Sequence, residues 1–362
     1  MRIAVFNWRC FRHAQAGGSE LYLHKQAALW VQQGHEVVWI TSRPAGTARR
    51  ETFEGIQFVR MGGTFSIYGW APLQYFRHAR DADVLIDVEN GIPFFTPFFS
   101  RRPKVLLIHH IHTDVWDREA GRLTARIGKW LEGWLMPRVY RKTPIVTVSE
   151  SSSSMIDELF GEHAPIQIVY NAISQDLVPG TRAEEPEVIY LGRVRRYKSI
   201  DVLLRALSLL EREPALHIVG QGEDEPRLKA LAQELGLEKV VFHGFVEDHE
   251  KRALLQRSWI AVNPSSMEGW GITNIEANAC GVPVLGSDVP GIRDSIAAGV
   301  SGELFPYGDA AALAARLDAW IGHPALLEEL SVSARGWAAR FSWEASADTL
   351  CGILKQVISK DR

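Results

Sequence analysis

The sequence has 362 residues, 46% of them apolar and 23% charged, with a formal net charge of −3. That length supports two domains of ordinary size, and the near-neutral balance offers no electrostatic footprint for nucleic acid. Three scattered cysteines (Cys10, Cys280, Cys351) lack metal-ligand spacing, no apolar run reaches the roughly 20 residues of a membrane span, and MRIAVFNW enters a strand without a signal-peptide pattern, so a cytoplasmic protein in a reducing compartment is expected.

In chain order, residues 2–7 read as a strand, and a polar turn ends in Gly17-Gly18-Ser19-Glu20. Apolar spacing predicts a helix over 21–33 and a second strand over 36–41, which makes one βαβ unit. GGSE is a common helix start and is not the G-x-G-x-x-G dinucleotide fingerprint. Residues 60–78, which include Tyr68 and Trp70, are rich in glycine and aromatics with little period. They suit a loop at an acceptor site or a short surface connection. Strands are expected over 82–88 and 104–108, the latter ending in His109-His110-Ile111-His112. The C-terminal end of a parallel strand is where open α/β sheets bind ligands. The three histidines point in different directions in an extended or turning segment, so no metal site is expected there. Residues 118–142 mix seven arginines and lysines with Trp130 and Trp134. Such a stretch suits a peripheral contact with anionic lipid, or a core-packing helix pair with a solvated basic face. A strand over 145–149 and a proline-rich, charged linker over 178–187 close the first half.

The alternation restarts with a strand over 188–191, followed by Gly192-Arg193-Val194-Arg195-Arg196-Tyr197-Lys198. Further strands are expected over 216–219 and 240–243, each leading through a glycine turn (Gly220-Gln221-Gly222; Gly244-Phe245-Val246) into a helix. The run AVNPSSMEGWGITNIEANACGVPVLGS (261–287) reads strand, glycine-rich loop, helix, strand. The loop puts the backbone N–H groups of Gly271, Ile272 and Thr273 at a helix N-terminus, which suits a phosphate. Glu268 and Glu276 flank it with seven residues between them; an acid beside a phosphate site more plausibly grips hydroxyls. The last helix runs from 342 to 358.

The Glu-x7-Glu spacing within EGWGITNIEANACGVPV closely resembles the donor-site signature of retaining glycosyltransferase family 4. The resemblance implies the α/β GT-B fold: two Rossmann-like doubly wound domains facing across a cleft, with a C-terminal helix crossing back. Domains are placed at 1–178 for the acceptor, completed by 345–362, and at 179–344 for the donor. By resemblance Glu276 would bond the donor's ribose and Glu268 the hydroxyls of the transferred sugar. Gly269, Trp270, Gly271, Ile272 and Thr273 would frame sugar and phosphates, Val246 would lie near the base, and Gly222 would belong to the same site. Gly17 and Gly18 would approach the diphosphate with their N–H groups. At the end of the 104–108 strand, His109, or in second place His110, would reach the sugar. His110, His112, Tyr68 and Trp70 are acceptor candidates. Arg193 and Lys198, a fork and a point charge, match the family's diphosphate clamp. Two departures are Ala172 and Ser199, where relatives carry glycine.

The implied activity is transfer of a sugar from a nucleotide-diphosphate sugar, UDP- or GDP-linked, to an acceptor glycan, lipid-linked sugar or small molecule. Retaining hydrolases use a carboxylate nucleophile. No second carboxylate is evident on the attacking face, which favours front-face substitution with the leaving phosphate taking the acceptor's proton. The basic pair replaces a metal, so no cofactor is expected. Competing readings are another GT-B nucleotide-sugar enzyme such as an epimerase, and a catalytically idle nucleotide-sugar-binding subunit. A phosphorylase is disfavoured by chain length and a nicotinamide dehydrogenase by the missing fingerprint.

Overall fold

A computed structural model describes residues 1–13, 16–111, 116 and 121–360, with only the backbone of residue 122. The chain divides into two compact units, 1–172 with 343–362, and 173–342. The break expected at 178/179 therefore falls inside the second unit: Ile173 already bridges to Ser342, and the Ile173 N–H donates to the Phe341 carbonyl at 3.4 Å.

In the first unit, β1 (Arg2–Phe6), α1 (Gly18–Gln32) and β2 (Glu36–Thr41) form the opening βαβ unit. A hairpin follows, β3 (Arg50–Phe53) and β4 (Ile56–Arg60), then α2 (Ser66–His78) and β5 (Val84–Glu89). After β6 (Lys104–Ile108) come α3 (Arg122–Trp130), a π-helical turn over Leu131–Leu135 and α4 (Met136–Val139). β7 (Ile145–Thr147), α5 (Glu150–Phe160) and β8 (Ile166–Ile168) complete the run. The sheet order is β3-β4-β2-β1-β5-β6-β7-β8, parallel throughout except for β3 against β4. Parallel pairing buries both faces, which is why these strands are near-continuous apolar runs. Phe6 pairs in register with Asp87, and Asp87 with Leu106, so the three side chains share one face. Phe6 packs with Ile67, Ala71 and Tyr75 of α2, and Leu106 packs with Met136 of α4 and with Tyr140, so α2 and α4 cover the same side of the sheet.

In the second unit, β9 (Glu187–Leu191), α6 (Ile200–Leu207), β10 (Ala215–Val219), α7 (Glu225–Glu234), β11 (Val240–Gly244), α8 (Asp248–Arg257), β12 (Ile260–Asn263), α9 (Ile272–Ala279) and β13 (Val284–Ser287) alternate. α10 (Ile292–Ser295), β14 (Gly302–Phe305), α11 (Ala310–Ile321) and α12 (Pro324–Ala338) follow. The parallel order is β11-β10-β9-β12-β13-β14. Succession runs outward from β9 to β11 and then returns to β9's other side at β12. The β9/β12 junction is therefore the topological switch point, where the loops leaving the carboxyl ends diverge and leave a crevice. In the first sheet the same reversal lies between β1 and β5.

The last helix, α13 (Trp343–Lys360), belongs to the first unit. The Trp30 indole donates to the Ala347 carbonyl at 3.0 Å, and the Gln26 amide to the Ser346 hydroxyl at 3.1 Å. No described helix is long and apolar enough to cross a membrane.

Candidate functional site

Two loops meet at the switch point of the second unit. The first leaves β9 at Gly192, whose φ of +145° favours glycine. It is laid against the loop after β10: the Gly192 N–H donates to the Val219 carbonyl and the Val194 N–H to the Gln221 carbonyl, both at 3.0 Å. A Cβ on Gly220 would stand 1.9 Å from the Gly192 oxygen, and one on Gly222 2.1 Å from the Val194 oxygen. The bareness of Gly222, expected at the donor, thus serves this backbone approach. The loop ends in a 3-10 turn over Arg196–Lys198, with Ser199 at φ +50°, a left-handed conformation that explains why glycine is usual there.

The second loop leaves β12 and enters α9 through Gly271, φ +77°. Its base is a chain of amides: Asn263 Nδ2 donates to Asn274 Oδ1 at 2.9 Å, and Asn274 Nδ2 to the Ser295 hydroxyl at 2.8 Å. Trp270 is 2% exposed, its ring edge-on to Phe341 with centroids 5.0 Å apart. Its side chain therefore anchors the loop in the core and does not frame a ligand; only its backbone could. Gly269 and the first-turn residues Ile272 and Thr273 stay half-buried beside the helix N-terminus.

These loops bring Lys198 and Glu268 together. Lys198 Nζ donates to Glu268 Oε1, with 10% and 18% of the two side chains exposed. The Ser265 hydroxyl lies 3.2 Å from the same carboxylate oxygen. Arg193 does not join the pair: it is exposed, and its guanidinium donates to the Tyr197 hydroxyl at 3.2 Å. The Tyr190 hydroxyl donates to the Arg193 carbonyl at 2.9 Å. Burial pushes that phenol well above its ordinary range, Glu268 and Tyr197 add to the effect, and Arg193 opposes it. Glu276 is held separately, accepting from Lys251 Nζ at 3.1 Å. Burial alone would lower the lysine's pKa, but Glu276 and then Asp248 outweigh it and the value is raised. Sequence reasoning passed over Lys251, Tyr190 and Ser265. Lys251 lies in a charge-dense helix with no local sign of a partner 25 residues on. Val246 is half-buried just before α8, and its neighbour Phe245 is 71% exposed.

The switch point of the first unit is built around Glu20, fully buried. Its carboxylate accepts from Arg9 Nε at 3.1 Å, Asn90 Nδ2 at 2.6 Å and the Gly17 N–H at 2.8 Å. The Gly17 N–H is thus already committed, leaving exposed Gly18 at the start of α1. His109 is 7% exposed, its ring perpendicular to Tyr22 with centroids 5.1 Å apart, and its carbonyl accepts from the Ser152 hydroxyl at 3.0 Å. His110 is half-buried, and His112 lies outside the described residues. The 60–78 stretch is a helix from Ser66, not a loop. Tyr68 is structural: its ring stacks on Phe94 at 4.6 Å and its hydroxyl donates to the Ile92 carbonyl at 3.0 Å. Trp70 remains 43% exposed.

Residues 175–337 match the glycosyl transferases group 1 family, and residues 16–177 match glycosyltransferase family 4. A D-inositol 3-phosphate glycosyltransferase of Nocardiopsis dassonvillei is 35% identical over 181 residues, 46% of this chain and 42% of that protein. The match thus spans less than half of that relative. A glycogen synthase of Mycobacterium tuberculosis is 25% identical over 387 aligned residues, 96% of this chain and 92% of the relative. Among solved structures, a sucrose-phosphate synthase from Thermosynechococcus elongatus superposes with a TM-score of 0.84 at 18% identity, covering 99% of each chain. Anabaena HepE, solved with UDP and glucose, gives 0.76 at 18% identity, covering 98% of this chain and 100% of that one. These likenesses establish the GT-B fold.

Proposed function

The chain belongs to glycosyltransferase family 4, and from that premise we propose that it moves a hexosyl group from a nucleotide-diphosphate sugar to an acceptor hydroxyl with retention of configuration. The observation that carries the proposal is the Lys198–Glu268 ion pair at the β9/β12 switch point, beside the N-terminus of α9. The helix N-terminus and Lys198 supply positive charge where a diphosphate would depart, and preorganised charge of this kind lowers the barrier without reorganisation. In the unliganded pair the ammonium neutralises Glu268; with donor bound it turns to the phosphates and frees the carboxylate for the sugar's hydroxyls. Arg193 is solvent-facing and able to close over the outer phosphate. Glu276, oriented by Lys251, takes the ribose; the 269–273 backbone frames the sugar; Val246 lies at the base, Gly18 presents its N–H to the diphosphate, and His109 contacts the transferred sugar. These cations do the work of a metal, and the leaving phosphate accepts the acceptor's proton.

The support for a uracil nucleotide is the likeness to HepE, solved with UDP and with UDP-glucose. Its sugar and acceptor do not transfer at 18% identity. Lipid-linked glycans, small polyols and glucans are the acceptor classes, and we include a cytoplasmic enzyme that meets its acceptor at a membrane surface. A thermal-shift screen of nucleoside diphosphates and their sugars tests this by mass action. UDP or GDP should raise the melting temperature equally with and without chelator. A shift that needs Mg²⁺, or none with any diphosphate, contradicts the proposal.

A further inference from the structure

The helix α3 is built inside out. Its exposed side carries Leu123 (74% exposed), Ile127 (49%), Trp130 (50%) and, from the π turn, Trp134 (45%), a stripe at i, i+4, i+7 and i+11. Its inner side carries Ala125, Gly128 and fully buried Glu132. The inward placement is enforced, not incidental. A Cβ on Gly128 would stand 2.6 Å from the Trp116 ring, and the Trp116 indole donates to Glu132 Oε2 at 2.9 Å. The Trp130 and Trp134 rings, four residues apart, stack with centroids 5.2 Å apart. A water-facing helix normally shows the reverse polarity, and contiguous apolar surface of this kind marks an interaction site.

Charge identifies the partner. Residues 61–80 and 121–142 together hold eight lysines and arginines and one acid, Glu132, in a chain of net charge −3. α2 and the α4 end of the second segment pack on the same side of the first sheet. α2 adds exposed Trp70 and Phe76 to that layer, and Phe65 just before it is exposed as well. The Arg138 guanidinium lies over the Trp134 ring, 4.2 Å from its centroid, and donates to the Trp134 carbonyl at 2.7 Å, so a cation sits directly on the apolar stripe. A second copy docked by two-fold symmetry would press basic surface on basic surface. An anionic bilayer satisfies both features, taking the apolar stripe below its headgroups and the cations among them.

We propose that α3 and its π turn form a membrane-docking element that inserts Leu123, Ile127, Trp130 and Trp134 into the interface of an anionic leaflet. This deepens the membrane-surface part of the functional reading on which it rests. Vesicles carry no sugar nucleotide, so lipid binding and donor binding fail separately. The test is co-sedimentation with phosphatidylglycerol/phosphatidylcholine vesicles and with pure phosphatidylcholine vesicles. Wild type should partition at least about tenfold more onto the anionic ones, and about 0.5 M salt should weaken it. Leu123→Glu/Ile127→Glu and, separately, Arg126→Glu change exposed positions and should lower partitioning by about tenfold and several-fold while the melting temperature holds. No anionic binding, equal binding to both vesicles, or unchanged partitioning of the double variant would overturn the proposal. So would a wild-type dimer that the double variant converts to monomer without any vesicle binding.

Discussion

Lys198 and Glu268 are nearly buried, and breaking such a pair leaves an uncompensated charge in low dielectric. Each residue therefore carries a stability role beside its proposed chemical one. In the proposed reaction the donor's phosphates and hydroxyls replace the partner that each charge gives up when the pair opens. A second buried acid makes a prediction about pH. Burial pushes Glu89 from its ordinary 4.5 up to about 8; the Gly91 N–H opposes the shift and Asp87 adds to it. Between those values the unfolded chain releases a proton that the folded one keeps, so folding stability falls as pH rises through the window. Glu89→Gln keeps an acceptor for Gly91 and removes the titration. Denaturant midpoints should favour the variant increasingly from pH 5 to pH 8, by on the order of a few kcal/mol at the upper end. A difference that stays flat with pH would place the ionisation elsewhere.

At the scale of elements, the clamp loop is only as fixed as the loop beneath it. Gly222→Ala would drive a methyl to 2.1 Å from the Val194 oxygen, a backbone atom with no freedom to swing away. The loop from Gly192 to Lys198 must shift, at a cost of about 1–3 kcal/mol, and the nucleotide-induced thermal shift should shrink with it. Gly18→Ala, with nothing within 4 Å of the added atom, should leave the melting temperature within a degree or two. The loops of the candidate site were legible in the sequence because their constraints are local: Gly192 and Gly271 sit at positive φ, where the backbone leaves few alternatives. The β3–β4 hairpin was not, since its turn is Glu54-Gly55, both at positive φ, and its strands are half-polar. Helix α2 was hidden by Gly69, Pro72 and outward aromatics. Its inner spacing (Ile67, Ala71, Tyr75, Ala79) is helical, and packing on the sheet decides the matter. The resemblance puts Trp270 among the residues framing sugar and phosphates; the Phe341 contact shows its ring turned inward.

On the scale of the whole molecule, each unit repeats one device, a parallel sheet whose strand order reverses and gathers polar residues where its loops diverge. The second unit gathers Lys198, Glu268 and the start of α9; the first gathers Arg9, Glu20 and Asn90. The proposed function assigns handling of a diphosphate to the former, and what the latter recognises depends on residues with no comparable motif, which is why the acceptor was not legible. The central claim is that charge from Lys198, not a metal, drives departure of the diphosphate. Its most direct test is release of nucleoside diphosphate from the sugar nucleotide that stabilises the protein, measured in excess chelator for wild type and Lys198→Met. Wild type should turn over, and the variant, folded by circular dichroism, should lose at least about a hundredfold in rate. Turnover by Lys198→Met within a few-fold of wild type, or a wild-type enzyme silent until Mg²⁺ is added, would contradict the account.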